Sequence, residues 1–258
     1  MSEKDKKKGE RGIDSRFLKT VFSTISGKYD LVNKIITLGL DGLWRKKVAE
    51  VCFKNVRENG FVLDLCCGTG KMTDSLVRVA DSKERRKNKT VIGVDFCKPM
   101  LEVASKNSGV IHKNFNVKVI FLLADATRLP FKDGFFDCVS IAFGLRNLLY
   151  ENPSASTHLK EIFRVLTDGG KFVAIESGKP RSSSLKVAFS LYTRLFAFPV
   201  GRWITGSKDA YEYLIDSANN FYEPEEMVEI LRGAGFQDVH FERLFFGSAT
   251  LYVAEKIF

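Results

Sequence analysis

Near its end the chain carries two apolar-rich stretches, FQDVHFERLFF (236–246) and ATLYVAEKI (249–257), with only Gly247-Ser248 between them. So short a connection joins antiparallel strands and nothing else. Upstream the arrangement changes. FVLDL (61–65), TVIGVD (90–95), VKVIFLLAD (117–125), FFDCVSIAF (135–143) and GKFVAIES (170–177) read as short buried strands. Helical patterns fall between most of them, among them KMTDSLVRVA, PMLEVASKN and STHLKEIFRVL, and EPEEMVEILRGAG precedes the terminal pair. Strands alternating with helices at this spacing are βαβ units, which need a parallel sheet buried on both faces. The sequence therefore predicts an α/β fold with seven strands, mostly parallel, ending in an antiparallel hairpin, with helices on both faces.

At 258 residues and 45% hydrophobic content the chain can bury a substantial core. It reads as one domain over 1–258, with three segments outside the βα rhythm. Residues 1–15 form a charged, solvated tail, residues 16–58 a helical cap before the first strand, and residues 180–222 an aromatic helical insertion. No apolar run reaches the length of a membrane span, and the charged start lacks the apolar region of a secretory signal. A cytoplasmic protein with reduced thiols is expected; Cys52, Cys66, Cys67, Cys97 and Cys138 show no metal-ligand spacing, so no metal is expected. The net charge of +9 is spread over KDKKK in the tail, SKERRKNK at 82–89 and single residues. No zinc-finger or RNA-binding motif accompanies it, so nucleic acid is not expected as a partner.

The stretch FVLDLCCGTGKM (61–72) places two glycines where the first strand gives way to a helix. In an open α/β sheet, ligands bind beyond the carboxyl ends of the strands, near the point where strand order reverses. Asp64, Asp95 and Asp125 fall at the ends of the first three strands, and a carboxylate after the second can accept from both hydroxyls of a ribose. Gly68 and Gly70 let the backbone approach a ligand where a Cβ would collide. A dinucleotide is poorly served, because the fingerprint read from Gly68 has Thr73 in the place of its third glycine. Taken singly, Asp64 suits a structural carboxylate, and Tyr29, Trp44 and Trp203 suit ordinary core or surface aromatics.

LDLCCGTG resembles motif I of class I S-adenosylmethionine-dependent methyltransferases, whose Rossmann-like sheet also ends in an antiparallel hairpin. The resemblance extends through VFSTISGKYDLVNKIITLGLDGLWRK (21–46), DATRLPFKDGFFDCVSIAFGLRNL (125–148), EIFRVLTDGGKFVAIESGKP (161–180) and AYEYLIDSANNFYEPEEMVEILRGAGF (210–236). Together these are similar to the ubiquinone/menaquinone biosynthesis C-methyltransferases over nearly all the chain after residue 20. The resemblance implies methyl transfer from S-adenosyl-L-methionine to a ring carbon of a prenylated quinol: a demethylmenaquinol, or a ubiquinone- or plastoquinone-type precursor. It implies cofactor contacts at Thr69, Asp95, Asp125, Ala126 and Ala142, joined by Asp64, Gly68 and Gly70. Ala142 stands where the family usually has serine, IESGKP replaces LEFSKP, and Cys66-Cys67 replaces smaller residues.

An aromatic ring carbon becomes a good nucleophile once its hydroxyl loses a proton. Arg146 is expected to stabilise that phenolate, Asn147 to fix the ring, Tyr29 to close over the site and Asp30 to stand as a candidate base. An arginine after a buried strand also suits a structural ion pair, and Glu176 suits holding a loop. The aromatic insertion is expected to act as a mobile lid that takes the prenyl tail, with Arg194 and Arg202 resting on an anionic membrane. A homodimer or a complex with other quinone-biosynthesis proteins is also admitted. The alternatives are a class I methyltransferase acting on another small molecule, and a basic nucleotide- or RNA-associated module, which would need clustered charge.

Overall fold

The computed structural model describes residues 15–54, 56–82, 88–111, 115–180, 182–206 and 208–257. The tail at 1–14, most of the basic run at 82–89 and the side chain of Arg202 lie outside them. Seven strands form a sheet in the order β3-β2-β1-β4-β5-β7-β6. They are β1 (Phe61–Leu65), β2 (Lys89–Asp95), β3 (Val117–Leu123), β4 (Phe136–Ala142), β5 (Leu166–Ser177), β6 (Gln237–Leu244) and β7 (Ala249–Glu255). The first five are parallel to one another, while β7 runs antiparallel to both β5 and β6. The predicted architecture is therefore present. The connection into β7 is longer than two residues, because a 3-10 turn at Phe245–Gly247 intervenes. β7 pairs with β5 from Lys171↔Glu255 to Ser177↔Ala249, which leaves β6 at the edge.

Side-chain alternation along β1 divides the core. Leu63 and Leu65 join one apolar cluster with Val139, Ile141, Phe172 and Tyr252. Val62 joins the opposite one with Val91, Cys138, Val173 and Ile175. Burial of both faces is what a parallel sheet requires. The second face is covered by α3 (Leu40–Cys52) and α4 (Lys71–Ala80), which supply Trp44, Val48, Cys52, Met72 and Leu76. Asp64 has the same parity as Val62, so it points into this face beside α4.

The cap consists of α1 (Ser15–Ile25), α2 (Tyr29–Ile36) and α3. Leu18, Val21, Phe22 and Ile25 of α1 bury against Cys97 and Met100, at the start of α5 (Lys98–Ile111). Two helices, α6 (Leu145–Leu149) and α7 (Ala155–Val165), lie between β4 and β5. The insertion folds as α8 (Ser183–Tyr192), a π-helical turn (Thr193–Ala197), α9 (Phe198–Thr205) and α10 (Lys208–Asn220). Then α11 (Pro224–Gly233), begun by a Glu223–Glu226 capping box, leads to β6. Cap and insertion meet over the carboxyl ends of the strands: Tyr192 donates to the Ile36 carbonyl at 2.6 Å, and Phe17 packs edge-on to Tyr213 at 5.6 Å.

Candidate active site

Strand order reverses between β1 and β4, and a cavity of about 480 Å³ opens there. Its floor is the turn after β1. Cys66 takes the left-handed conformation (φ 57°), and the Cys67 N–H donates to the Val94 carbonyl at 3.0 Å. Asp95 braces the same turn from β2: its two carboxylate oxygens accept from the N–H groups of Gly68 and Cys97, each at 2.8 Å. Burial raises the pKa of Asp95, and these amide hydrogen bonds oppose the rise. Gly68 and Gly70 differ in what holds them to glycine. Gly68 (φ 54°) lines the cavity, and a Cβ there would meet no protein atom within 4 Å. Gly70 (φ 85°) does not line it; a Cβ there would sit 3.2 Å from the Ala104 Cβ, so close packing of α4 on α5 keeps this glycine.

Of the residues expected to touch the cofactor, Gly68, Thr69, Asp95, Asp125, Ala126 and Ala142 line this cavity, together with Tyr29 and Asn147. Asp125 accepts from the N–H and hydroxyl of Thr127 through one carboxylate oxygen, each at 2.8 Å. Asp64 lies beneath the floor. It is fully buried, its Oδ2 accepts from the Thr73 hydroxyl at 2.6 Å, and its Oδ1 has no partner. Burial pushes its pKa up to about 7, against the pull of Thr73 and Arg45. Asp30 lines neither this cavity nor the next. It accepts from the Thr69 hydroxyl at 2.5 Å and pairs with Lys71 at 3.6 Å, a latch from α2 onto the turn instead of a base facing substrate.

A second cavity of about 420 Å³ lies under the cap and the insertion. Tyr29, Arg45 and Phe143 line both cavities and form their shared wall. Its lining is mostly apolar, with Leu185, Phe189 and Tyr192 from α8, Leu214 from α10 and Phe246 from the hairpin. Arg146 lines this second cavity. Its Nη1 donates to Glu176 at 2.9 Å and to Ser177 at 3.0 Å, while its buried Nε has no partner. The structural ion pair and a place in the cavity lining are thus combined in one side chain. Asn147 accepts from the Tyr213 hydroxyl at 2.8 Å, and burial pushes the Tyr213 pKa up to about 12, so it remains a donor.

Sequence reasoning missed four of these residues. Arg45 resembles any charge on a helix surface until its burial is seen. Phe143 lies within FGLRN but carries no polar signal. Tyr213 is 66 positions from its partner. His158 lines the first cavity with Nδ1 at 2.9 Å from the Leu148 carbonyl, and burial lowers its pKa. That hydrogen bond assigns the proton to Nδ1 and leaves Nε2 as an acceptor.

The first cavity suits S-adenosylmethionine: a close-approach turn, acids beyond β2 and β3, and a volume in the range of cofactor sites. The model of the ubiE/COQ5 methyltransferase family matches residues 7–256. A demethylmenaquinone methyltransferase of Lactiplantibacillus plantarum is 36% identical over 94% of this chain and 98% of its own length. The ubiquinone/menaquinone biosynthesis C-methyltransferase UbiE of Rickettsia prowazekii is 34% identical over 93% of this chain and 92% of its own. Among solved structures, a SAM-dependent methyltransferase from Aquifex aeolicus superimposes with a TM-score of 0.59 at 18% identity, covering 88% of this chain and 98% of that one. The chain belongs to the ubiE/COQ5 methyltransferase family and is an S-adenosylmethionine-dependent methyltransferase.

Proposed function

We propose that this enzyme methylates a ring carbon of a prenylated quinol of the demethylmenaquinol or ubiquinone-precursor type. The observation that carries the reading is the second cavity: large, apolar, and sharing Tyr29, Arg45 and Phe143 with the lining of the cofactor cavity. Gly68, Thr69, Asp95, Asp125, Ala126 and Ala142 would hold the cofactor, which supplies an electrophilic methyl group when bound. Asp64 supports the turn from below. Arg146 is placed to stabilise the ionised hydroxyl of the acceptor through its free Nε, with Glu176 fixing the guanidinium. Asn147, held by Tyr213, lines the first cavity and not the second, so it bears on the cofactor side of the reaction and not on the ring. Tyr29 and Phe143 exclude water from the passage between the cavities.

Each methylene of a prenyl tail buried in such a groove contributes about 0.8 kcal/mol. The tail would leave past Leu38 and Phe246, which line the cavity and are 72% and 73% exposed. Trp203, at 85% exposure, and Leu195 add apolar surface on the insertion. No described helix is long and apolar enough to cross a membrane. These outward apolar side chains favour peripheral attachment, with the tail drawn from the bilayer. Mass spectrometry of quinones from cells lacking the gene tests the reaction: the accumulating quinone should lack one methyl group, and restoring the gene should return it. An unchanged quinone profile would remove the reading. A quinol series of increasing tail length should show KM falling with length; a flat series would favour a small, untailed acceptor.

A further inference from the structure

The wall between the two cavities contains a charge that the folded chain leaves underused. Arg45, on α3, is buried at 7% exposure, and its Nε has no hydrogen-bond partner. Its one ion pair among the described residues is with Asp41, at 3.5 Å from that same Nε. The guanidinium stacks over the Phe143 ring, 5.1 Å from the centroid, which fixes its plane at the boundary of both cavities. Burying a guanidinium with so little compensation is unfavourable unless an anion joins it.

The charges around the first cavity narrow the choice of anion. Lys71, the other strong base lining it, is 41% exposed and paired with Asp30. Asp95 has both oxygens occupied by amides, and Asp125 holds Thr127. Both acids follow β2 and β3, where a ribose and its base would lie. Arg45 stands on the other side of β1, against Phe143 after β4. S-adenosylmethionine carries one anion, the carboxylate at the end opposite its base. A quinol acceptor carries none until its hydroxyl ionises.

We infer that Arg45 receives the carboxylate of the cofactor's methionine end, and so is a binding residue that sets where that end stops against the acceptor cavity. The inference rests on the cofactor occupying the first cavity. A planar fork suits a carboxylate better than a point charge does, and the pairing would complete the partial neutralisation by Asp41.

Calorimetry with two probes tests this. S-adenosylhomocysteine retains the amino-acid end, whereas 5′-methylthioadenosine lacks it. Arg45→Met should weaken S-adenosylhomocysteine by about tenfold or more, the range for a lost charge-assisted pair, and leave 5′-methylthioadenosine within about twofold. Arg45→Lys, which keeps a buried cation, should lose severalfold on the first probe only, and it serves as the test if the methionine variant fails to fold by circular dichroism. Equal losses on both probes would overturn the assignment, making Arg45 a shaping residue. No loss on either, with a raised KM for the quinol, would assign it to the acceptor instead. If the wild-type protein binds neither probe, the cofactor reading of the cavity fails first, and the assignment falls with it.

Discussion

Asp64→Asn is the most quantitative perturbation that the site allows. The wild-type carboxyl is fully buried, accepts one hydrogen bond from Thr73, and leaves Oδ1 without a partner. Its pKa is raised from 3.8 to about 7 by desolvation. A folded-state pKa above the unfolded one means that, between about pH 4 and about pH 7, the folded protein binds the extra proton. Stability therefore falls as pH rises across that window; the cost is absent below it and complete above it. A rise of about three units corresponds to about 4 kcal/mol, and partial screening inside the protein reduces the expectation to about 2–4 kcal/mol. Asparagine is nearly isosteric and does not titrate. It adds a roughly pH-independent offset of about 1–3 kcal/mol for its buried amide, so the slope and not the absolute stability is the test. Urea denaturation of both proteins through a pH series should show wild-type stability dropping relative to the variant by about 2–4 kcal/mol from about pH 4 to about pH 8. A difference constant to within about 0.5 kcal/mol would refute the argument, because the pull of Thr73 and Arg45 would then outweigh desolvation and keep Asp64 ionised.

Glu176→Ala leaves the Arg146 guanidinium buried and poorly paired, so it should cost about 3–5 kcal/mol. That loss lowers Tm by roughly 6–20 °C in a differential scanning experiment. Arg146→Lys retains the cation beside Glu176 but not the Nε donor; turnover should fall about 100-fold while S-adenosylhomocysteine affinity stays within about twofold. An equal fall in both readouts would make Arg146 purely structural. Gly68→Ala and Gly70→Ala each incur about 1–2 kcal/mol for a left-handed alanine. Only Gly68→Ala should weaken cofactor binding beyond that, whereas Gly70→Ala should lower Tm further through its contact with Ala104. Thermal shift and calorimetry on the pair separate the two roles.

The strands and their hairpin were legible because burial on both faces of a parallel sheet imposes apolar runs, and a short turn imposes antiparallel pairing. The turn could not reveal which strand would be the inner one. That depends on β7 matching β5 from Lys171↔Glu255 to Ser177↔Ala249, a long-range register with no local signal. Acids at strand ends were legible for the same topological reason, but their separate duties were not. Asp95 and Asp64 have similar sequence surroundings; one braces the turn through two amides, and the other sits beneath it against Thr73. Asp30 looked available for chemistry until α2 folded it onto Thr69. The contacts of Arg45 and Tyr213 depend on where the cap and the insertion dock, and such docking leaves no periodicity in the chain.

The shared wall explains one local conformation that would otherwise be a liability. Phe143 has φ 60°, a left-handed value that costs a bulky residue about 1–3 kcal/mol. Its neighbour Gly144 has no room for a side chain, since a Cβ would lie 2.8 Å from the Cβ of Cys66. The ends of β1 and β4 are thus pressed together at the switch point, and the chain after β4 must turn sharply within two residues. The Phe143 N–H donates to the Ile175 carbonyl at 2.8 Å, which holds the backbone, while Trp44 at 6.1 Å and Arg45 at 5.1 Å flank the ring. The left-handed turn at Phe143 and the burial of Arg45 thus meet at one place: the ring that lines both cavities is also the surface against which the buried guanidinium lies.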